Sequence, residues 1–352
     1  MNAFISGSRD CLTACLKKMK VRITRPPIPV LWLDTWCILD MAASLISADV
    51  SRRENAEKIL DKIILLSKKK KLICPEGDQY IEIGVSKNKK IVEKSRQIQA
   101  QMSLGIALNI YISVEHLQVQ RMMKAVIEKN SEVIFPWKDI FVDDPIKIID
   151  RDDEFIVSVH IPQSQKQIDN QISLHKSIAK DWEALRQDAR ISKRSYDVTL
   201  ANEFKGYAEA IAHVMANITA KTIHSLPISY DEYMQSINIA GSPLSWWERY
   251  SGDKDAIKSV IKFYSSAEYT QIPSINVGTK LLAELVSGNE VVSSGDVMDI
   301  HHISTVLPYA SYIVADKRIM NRLKSKTNLS KDYPAKLLKW TEILPLLESL
   351  DN

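Results

Sequence analysis

The stretch Ile28-Pro-Val-Leu-Trp-Leu-Asp34-Thr-Trp-Cys-Ile-Leu-Asp40 decides how this chain is read. Val30 to Leu33 is short, apolar and halted by a carboxylate, as expected of a strand buried on both faces of a parallel sheet. The same construction returns near the other end of the chain, in Tyr312-Ile-Val-Ala-Asp316-Lys317. Ligand sites of open α/β sheets lie outside the carboxyl ends of the strands, so two strands that stop on aspartate should bring Asp34 and Asp316 to one sheet edge.

Working outward, Pro26-Pro27-Ile28-Pro29 is incompatible with a helix interior and sets residues 1–28 apart as an N-terminal segment. A helix from about Cys37 to Ser47 follows, then a second from a Ser51 cap to about Lys69, with Ala56, Ile59, Leu60, Ile63, Ile64 and Leu66 as its apolar stripe. The basic run Lys68 to Lys71 suits a solvated helix carboxyl end, and Lys87-Asn-Lys-Lys90 reads the same way. Lys71 to Cys74 reads as a second strand, and Pro75 opens a helix carrying Glu82. The pattern returns at the far end: a helix over Asn276 to Val286, a strand over Glu290 to Val292, and a helix over Asp296 to Val306. The strand ending at Asp316 comes next, then a helix over Lys317 to Ser325, a strand over Ala335 to Trp340 and a closing helix.

This is the grammar of an α/β fold, a parallel sheet flanked by helices on both faces, split between residues 29–95 and 275–352. Residues 96–274 form a large, mainly helical insertion, with helical period over Ile112 to Lys129 and Gln167 to Lys221. Trp137 to Pro162 reads as hairpin strands. Their acidic turns, Asp143-Asp144 and Asp150-Arg-Asp-Asp-Glu154, lack the glycine and ligand spacing of an EF-hand. Ser225 to Gly252, with Pro227, Gly241 and Pro243, reads as loop-rich, and Trp246-Trp247 as a packing anchor within it.

Composition bounds the rest. Of 352 residues, 26% are charged and 45% hydrophobic, an ordinary globular balance, and the formal charge of +4 permits a polyanionic partner without demanding one. The four cysteines, Cys11, Cys15, Cys37 and Cys74, include no Cys-x-x-Cys pair, which argues against a disulfide framework or zinc ribbon and for a reducing cytoplasm. Cys11 and Cys15, four apart, would share one face of a short helix. Charges from Arg9 to Lys20 interrupt anything resembling a signal peptide, and no run reaches the roughly 18 apolar residues of a membrane span, so a cytoplasmic, unanchored protein is expected. P-loop, nucleophile-elbow and His-Glu-x-x-His motifs are absent from the sequence.

Asp296 and Asp299 are three apart, hence on one helical face, and that helix feeds the strand ending at Asp316. With Glu82 and Asp34 they would make a cluster of carboxylates that repel one another and raise one another's pKa values unless a cation neutralises them. Mg2+ or Mn2+, both oxygen-seeking, are the natural occupants.

These segments resemble PIN domains. Val30-Leu-Trp-Leu-Asp34-Thr35 resembles the family's opening strand, which ends on a catalytic aspartate followed by a small hydroxyl residue. Pro75 to Glu82 resembles its second acidic position. Gly295-Asp-Val-Met-Asp299-Ile-His-His-Ile, followed by Leu307 to Lys317, resembles its third and fourth. The resemblance implies metal-dependent phosphodiester hydrolysis, in RNA more than in DNA. Asp34, Asp299 and Asp316 would be ligands, Glu82 would ligate through water or orient the nucleophile, and Asp296 competes for the third role. Thr35, Lys317, Arg318 and Arg322 would face substrate. His301 and His302 lie close enough to reach a phosphate, but one of two adjacent residues must face the core, so each reads as a packed or surface histidine in preference to a phosphate contact. Trp36 stands where the family often has asparagine, and Ala315 where it has threonine or serine. These two departures, and the insertion, leave open a second reading: a PIN-like binding module without catalysis, docking RNA or an inhibitory partner protein through the insertion, with oligomers possible.

Overall fold

The computed structural model describes residues 19–150, 165–253 and 256–351. The readings made on Cys11, Cys15 and the acidic residues after Asp150 lie outside the described residues.

Strand β1 (Lys20–Ile23) is followed by β2 (Leu31–Leu33), whose residues are all buried. Asp34 ends β2 and caps α1 (Thr35–Leu45), its side chain accepting from the Thr35 amide at 2.7 Å. Helix α2 (Val50–Lys68) buries the stripe expected of it, but its cap is Asp49, which accepts from the Arg52 amide at 3.1 Å; Ser51 sits inside the first turn. The expected strand at Lys71 to Cys74 shrinks to one parallel bridge between Val30 and Ile73, sealed by two 2.8 Å backbone bonds. Helix α3 (Tyr80–Val85) starts five residues after Pro75, and in the intervening turn Gly77 lies close against the Trp32 ring. Helices α4 (Lys89–Ser103) and α5 (Tyr111–Ile127) follow.

Strand β3 (Glu132–Phe135) pairs in parallel with β1, Lys20 opposite Glu132 and Ile23 opposite Phe135. The N-terminal segment thus supplies a strand to the region expected to be a separate insertion. The hairpin strands expected after Trp137 are not formed up to Asp150: Trp137–Ile140 is a 3-10 turn and α6 (Pro145–Ile149) is a short helix capped by Asp144. The long helical stretch is two helices, α7 (Gln165–Ile191) and α8 (Tyr196–Ile223), broken where Lys193 adopts φ 50° and Ser195 caps α8. The segment expected to be loop-rich is mostly helical: α9 (Tyr230–Ser236), a π turn at Ile237–Gly241 and α10 (Ser242–Ser251). Pro243, expected to break the chain, stands in the first turn of α10 as a helix start signal, and Gly252 ends that helix at φ 68°.

After α11 (Ala256–Tyr264), α12 (Ala267–Thr270) and α13 (Pro273–Val286), residues 290–292 are coil, not strand. Then come α14 (Ser294–Val306), β4 (Tyr312–Val314), α15 (Lys317–Lys324), α16 (Leu329–Asp332), β5 (Lys336–Leu338) and α17 (Ile343–Asp351). The central sheet runs β2-β4-β5, all parallel, with Leu33 opposite Val314 and Val314 opposite Leu338.

Alternation along these strands builds two cores. Leu31, Leu33, Val314 and Leu338 face α1, α2, α4 and α17, among Met41, Ile63, Ile98 and Leu347. Val30, Trp32 and Ile313 face the opposite way, into a core shared with Val114, Ile211, Phe263, Leu281 and Val306. The helices of 96–274 are therefore continuous with one face of the sheet. Gln118 ties them across: it donates to the Tyr309 hydroxyl at 3.0 Å and accepts from the Ser274 amide, at the start of α13, at 2.9 Å. Among the described residues no helix is long and apolar enough to cross a membrane.

Candidate active site

The carboxyl edge of β2 and β4 carries the acids. The Asp34 amide donates to the Val314 carbonyl at 2.9 Å, extending the ladder one step past β2. The two Asp34 oxygens accept separately, Oδ1 from the Thr35 amide and Oδ2 from the Asp316 amide at 3.3 Å. Asp316 caps α15, accepting from the Ile319 amide at 2.8 Å. Glu82 comes in from α3 and accepts from the Thr35 hydroxyl. Asp299, on α14, feels the charges of Asp34, Glu82 and Asp316. Four elements thus bring together four of the five acids that the sequence singles out.

Their electrostatics follow. Burial, then the charge of Glu82, pushes the Asp34 carboxyl up to about 6. Burial, then Asp34 and Glu82, pushes Asp299 up to about 8, so Asp299 is largely protonated at neutral pH. The cluster carries more negative charge than its surroundings relieve.

Part of the relief comes from a residue that sequence reasoning left as packed or surface. His302 is 6% exposed, and its Nε2 lies 2.5 Å from Asp78 Oδ1. Burial alone would lower its pKa, but the charge and hydrogen bond of Asp78 carry it up to about 9, making it an imidazolium beneath the acids. Asp78 is correspondingly held below the ordinary carboxylate range, His302 outweighing the effect of burial. His301 behaves oppositely. Burial and the charges of His302 and His175 lower it to about 4, and it stacks on Tyr111 with centroids 4.5 Å apart. Gln79, also missed, is 1% exposed and donates to the Leu33 carbonyl at 2.6 Å, so it pins the chain leading to Glu82 against β2. Nothing in the spacing of Asp78 or Gln79 marks them; only the turn before α3 reveals their roles.

Several expected site residues lie elsewhere. Asp296 does not join the cluster. It is fully buried and closes a capping box with Ser293, and it accepts from Arg322 Nη1 at 2.7 Å and from Arg318 Nη2 at 3.1 Å. Arg322 is in turn buried, with Glu284 at 3.3 Å and Glu290 at 3.4 Å, and is no free contact for substrate. Arg318 donates to Glu290 at 2.7 Å. Thr35 is buried and engaged with Glu82, so it holds an acid in place instead of facing substrate. Lys317 is exposed and lines an open cleft beside α15. Trp36 packs edge-on against Trp340, and Ala315 is buried behind Asp316.

The donor set has the chemistry of a Mg2+ or Mn2+ site, all carboxylate oxygen with unrelieved negative charge. In geometry, however, no group of three or more His, Cys, Asp or Glu side chains among the described residues is placed to hold a metal ion. The acids are gathered but not closed around a point.

No family model, curated protein or solved structure matches the chain. Its functional reading therefore stands on the residues of this site alone.

Proposed function

We propose that the chain is a PIN-like endonuclease that hydrolyses phosphodiester bonds, in RNA more than in DNA, with Mg2+ or Mn2+. The observation that carries this is the convergence of Asp34, Glu82, Asp299 and Asp316 at one sheet edge, with Asp34 raised by burial and then by Glu82, and Asp299 by burial and then by Asp34 and Glu82. Such an arrangement opposes its own ionisation unless a cation binds. Asp34, Asp299 and Asp316 would hold the ion, and a bound ion would supply a more acidic water and neutralise the scissile phosphate. Thr35 fixes the rotamer of Glu82, leaving the other oxygen of Glu82 to orient a water. The Asp34 contact with the Asp316 amide keeps the two strand-end acids in register.

The lack of closed ligand geometry supports a second reading, a binding module that keeps the fold and has lost the chemistry. Incubation of labelled single-stranded RNA and matched DNA with the purified chain in Mn2+, Mg2+ or chelator separates the two. Metal-dependent RNA cutting that is lost in Asp34→Asn and Asp299→Asn is the expected result. No cutting of either substrate, with no Mn2+ bound in calorimetry, overturns the nuclease reading.

A further inference from the structure

We infer that the cleft beside α15 is a phosphate-binding site that the chain's own Glu290 occupies. The cleft measures about 600 Å³. Lys317, Arg318, Asn321 and Arg322 line one side of it, with Glu284 and Glu290 opposite. Lys317 and Asn321, four apart and both exposed, share one face of α15.

The three carboxylates that meet the two arginines are not equivalent. Asp296 is fully buried and bound by Ser293 as well as both guanidinium groups, so it is a fixed counter-ion. Glu284, at 24% side-chain exposure, meets only the Nε of Arg322. Glu290 is 66% exposed, on the coil joining α13 to α14, yet its Oε2 accepts from Arg318 Nε at 2.7 Å and from Arg322 Nη2 at 3.4 Å. One oxygen bridging two guanidinium groups is how arginines take a phosphate oxygen. A pair this exposed is weakly held and exchanges readily with a solution anion. Three cations (Lys317, Arg318, Arg322) meet the lining acids Glu284 and Glu290 and the Asp296 behind them, so these groups balance while Glu290 is in place and leave one net positive charge to receive an anion when Glu290 swings out. Its volume exceeds that of a phosphate group, so the group can belong to a nucleotide or to the backbone of a strand. Lys317 directly follows Asp316, so a strand seated here continues onto the carboxylate edge.

The site is independent of hydrolysis, and its test is made in chelator so that cleavage plays no part. Anisotropy of labelled single-stranded RNA, with inorganic phosphate and a mononucleotide as competitors, is measured at low salt on the parent chain and on Glu290→Gln, which keeps shape and removes charge. Glu290→Gln should bind RNA about fivefold more tightly, an advantage that shrinks as salt is raised. Adding Arg318→Gln or Lys317→Gln should abolish the gain; Lys317, on the surface, keeps the test readable if Arg318→Gln disturbs the arginine network. Competition by inorganic phosphate or mononucleotide identifies a small phosphate as sufficient, whereas displacement by RNA alone identifies the strand backbone, and either fits the site. Equal affinity of parent and Glu290→Gln for every ligand, or a gain that survives both second substitutions, overturns it.

Discussion

The Asp316 amide donates to Asp34 Oδ2 at 3.3 Å, joining residues 282 positions apart at the carboxyl edge of the sheet. With its other oxygen on the Thr35 amide, Asp34 is at once the end of β2, the cap of α1 and the link to the strand that ends at Asp316. Asp34→Ala removes the cap and the link together. It should lower stability by about 1–2 kcal/mol, as lost caps do, measured by urea denaturation; an unchanged midpoint would show that neither contact matters.

Asp299→Asn should stabilise the fold at alkaline pH. The Asp299 carboxyl rises from an ordinary 3.8 to about 8, so the folded chain binds the proton more tightly than the unfolded one, and stability falls as pH climbs through that window. The amide cannot ionise and escapes this loss. At pH 8 the variant should be more stable by roughly 1–3 kcal/mol, and the difference should vanish near pH 4. Melting curves across pH check this, and equal melting at pH 8 would refute it. On the proposed nuclease reading the same variant should be inactive in cleavage assays, so that stability and activity would move in opposite directions.

His302 gives a second pH dependence. Its folded pKa lies near 9, above the ordinary 6.5, so the stabilisation from its pair with Asp78 is complete below about 6.5 and disappears as pH rises through 9. Asp78→Asn should flatten that alkaline decline while lowering stability at pH 6. Titration of the His302 ring protons by NMR reports the same shift directly; a midpoint near 6.5 would deny the pairing.

Asp296 should prove structural. Asp296→Ala strands the buried Arg322 without its closest partner and should cost about 3 kcal/mol, in keeping with broken buried pairs. A variant that melts like the parent would contradict the assignment.

Gly77→Ala would place a Cβ 2.9 Å from Trp32 Cη2 and 3.3 Å from Cζ3. Trp32 is 1% exposed and packs on His302, so it has little room to move. Overpacking of this kind costs roughly 1–3 kcal/mol, and the near-ultraviolet circular dichroism of the tryptophans should change with it. An unaltered spectrum and melting point would show that the turn yields.

What the sequence makes legible is the part written in local pattern. Leu31–Leu33 and Tyr312–Val314 are read as buried strands from their apolar runs, and the aspartates that end them meet as expected. The helices around them follow from period, while the cap expected of α2, Ser51, gives way to Asp49. The misses are tertiary. Lys20–Ile23 is four residues long and finds its partner more than a hundred residues away, beyond any local signal. Val291 is apolar yet 68% exposed, so an apolar run there did not mean a strand. Asp296 and Asp299 share one helix, and only the packing of α15 gives the first to arginines and leaves the second among acids.

The order of the strands bears on how the chain is made. β1 and β3 are both complete once residue 135 has left the ribosome, but β2 lacks its neighbour β4 until residue 314 has emerged. Pairing over such separations is slow, because the closure entropy precedes the reward. A nascent chain therefore exposes the apolar faces of Leu31–Leu33 until residue 314 has emerged, protected on one flank by the bridge to Ile73 alone. The carboxylate edge cannot assemble before Asp316 has emerged, so a translation product that stops short of it has Asp34 without its partner across the sheet.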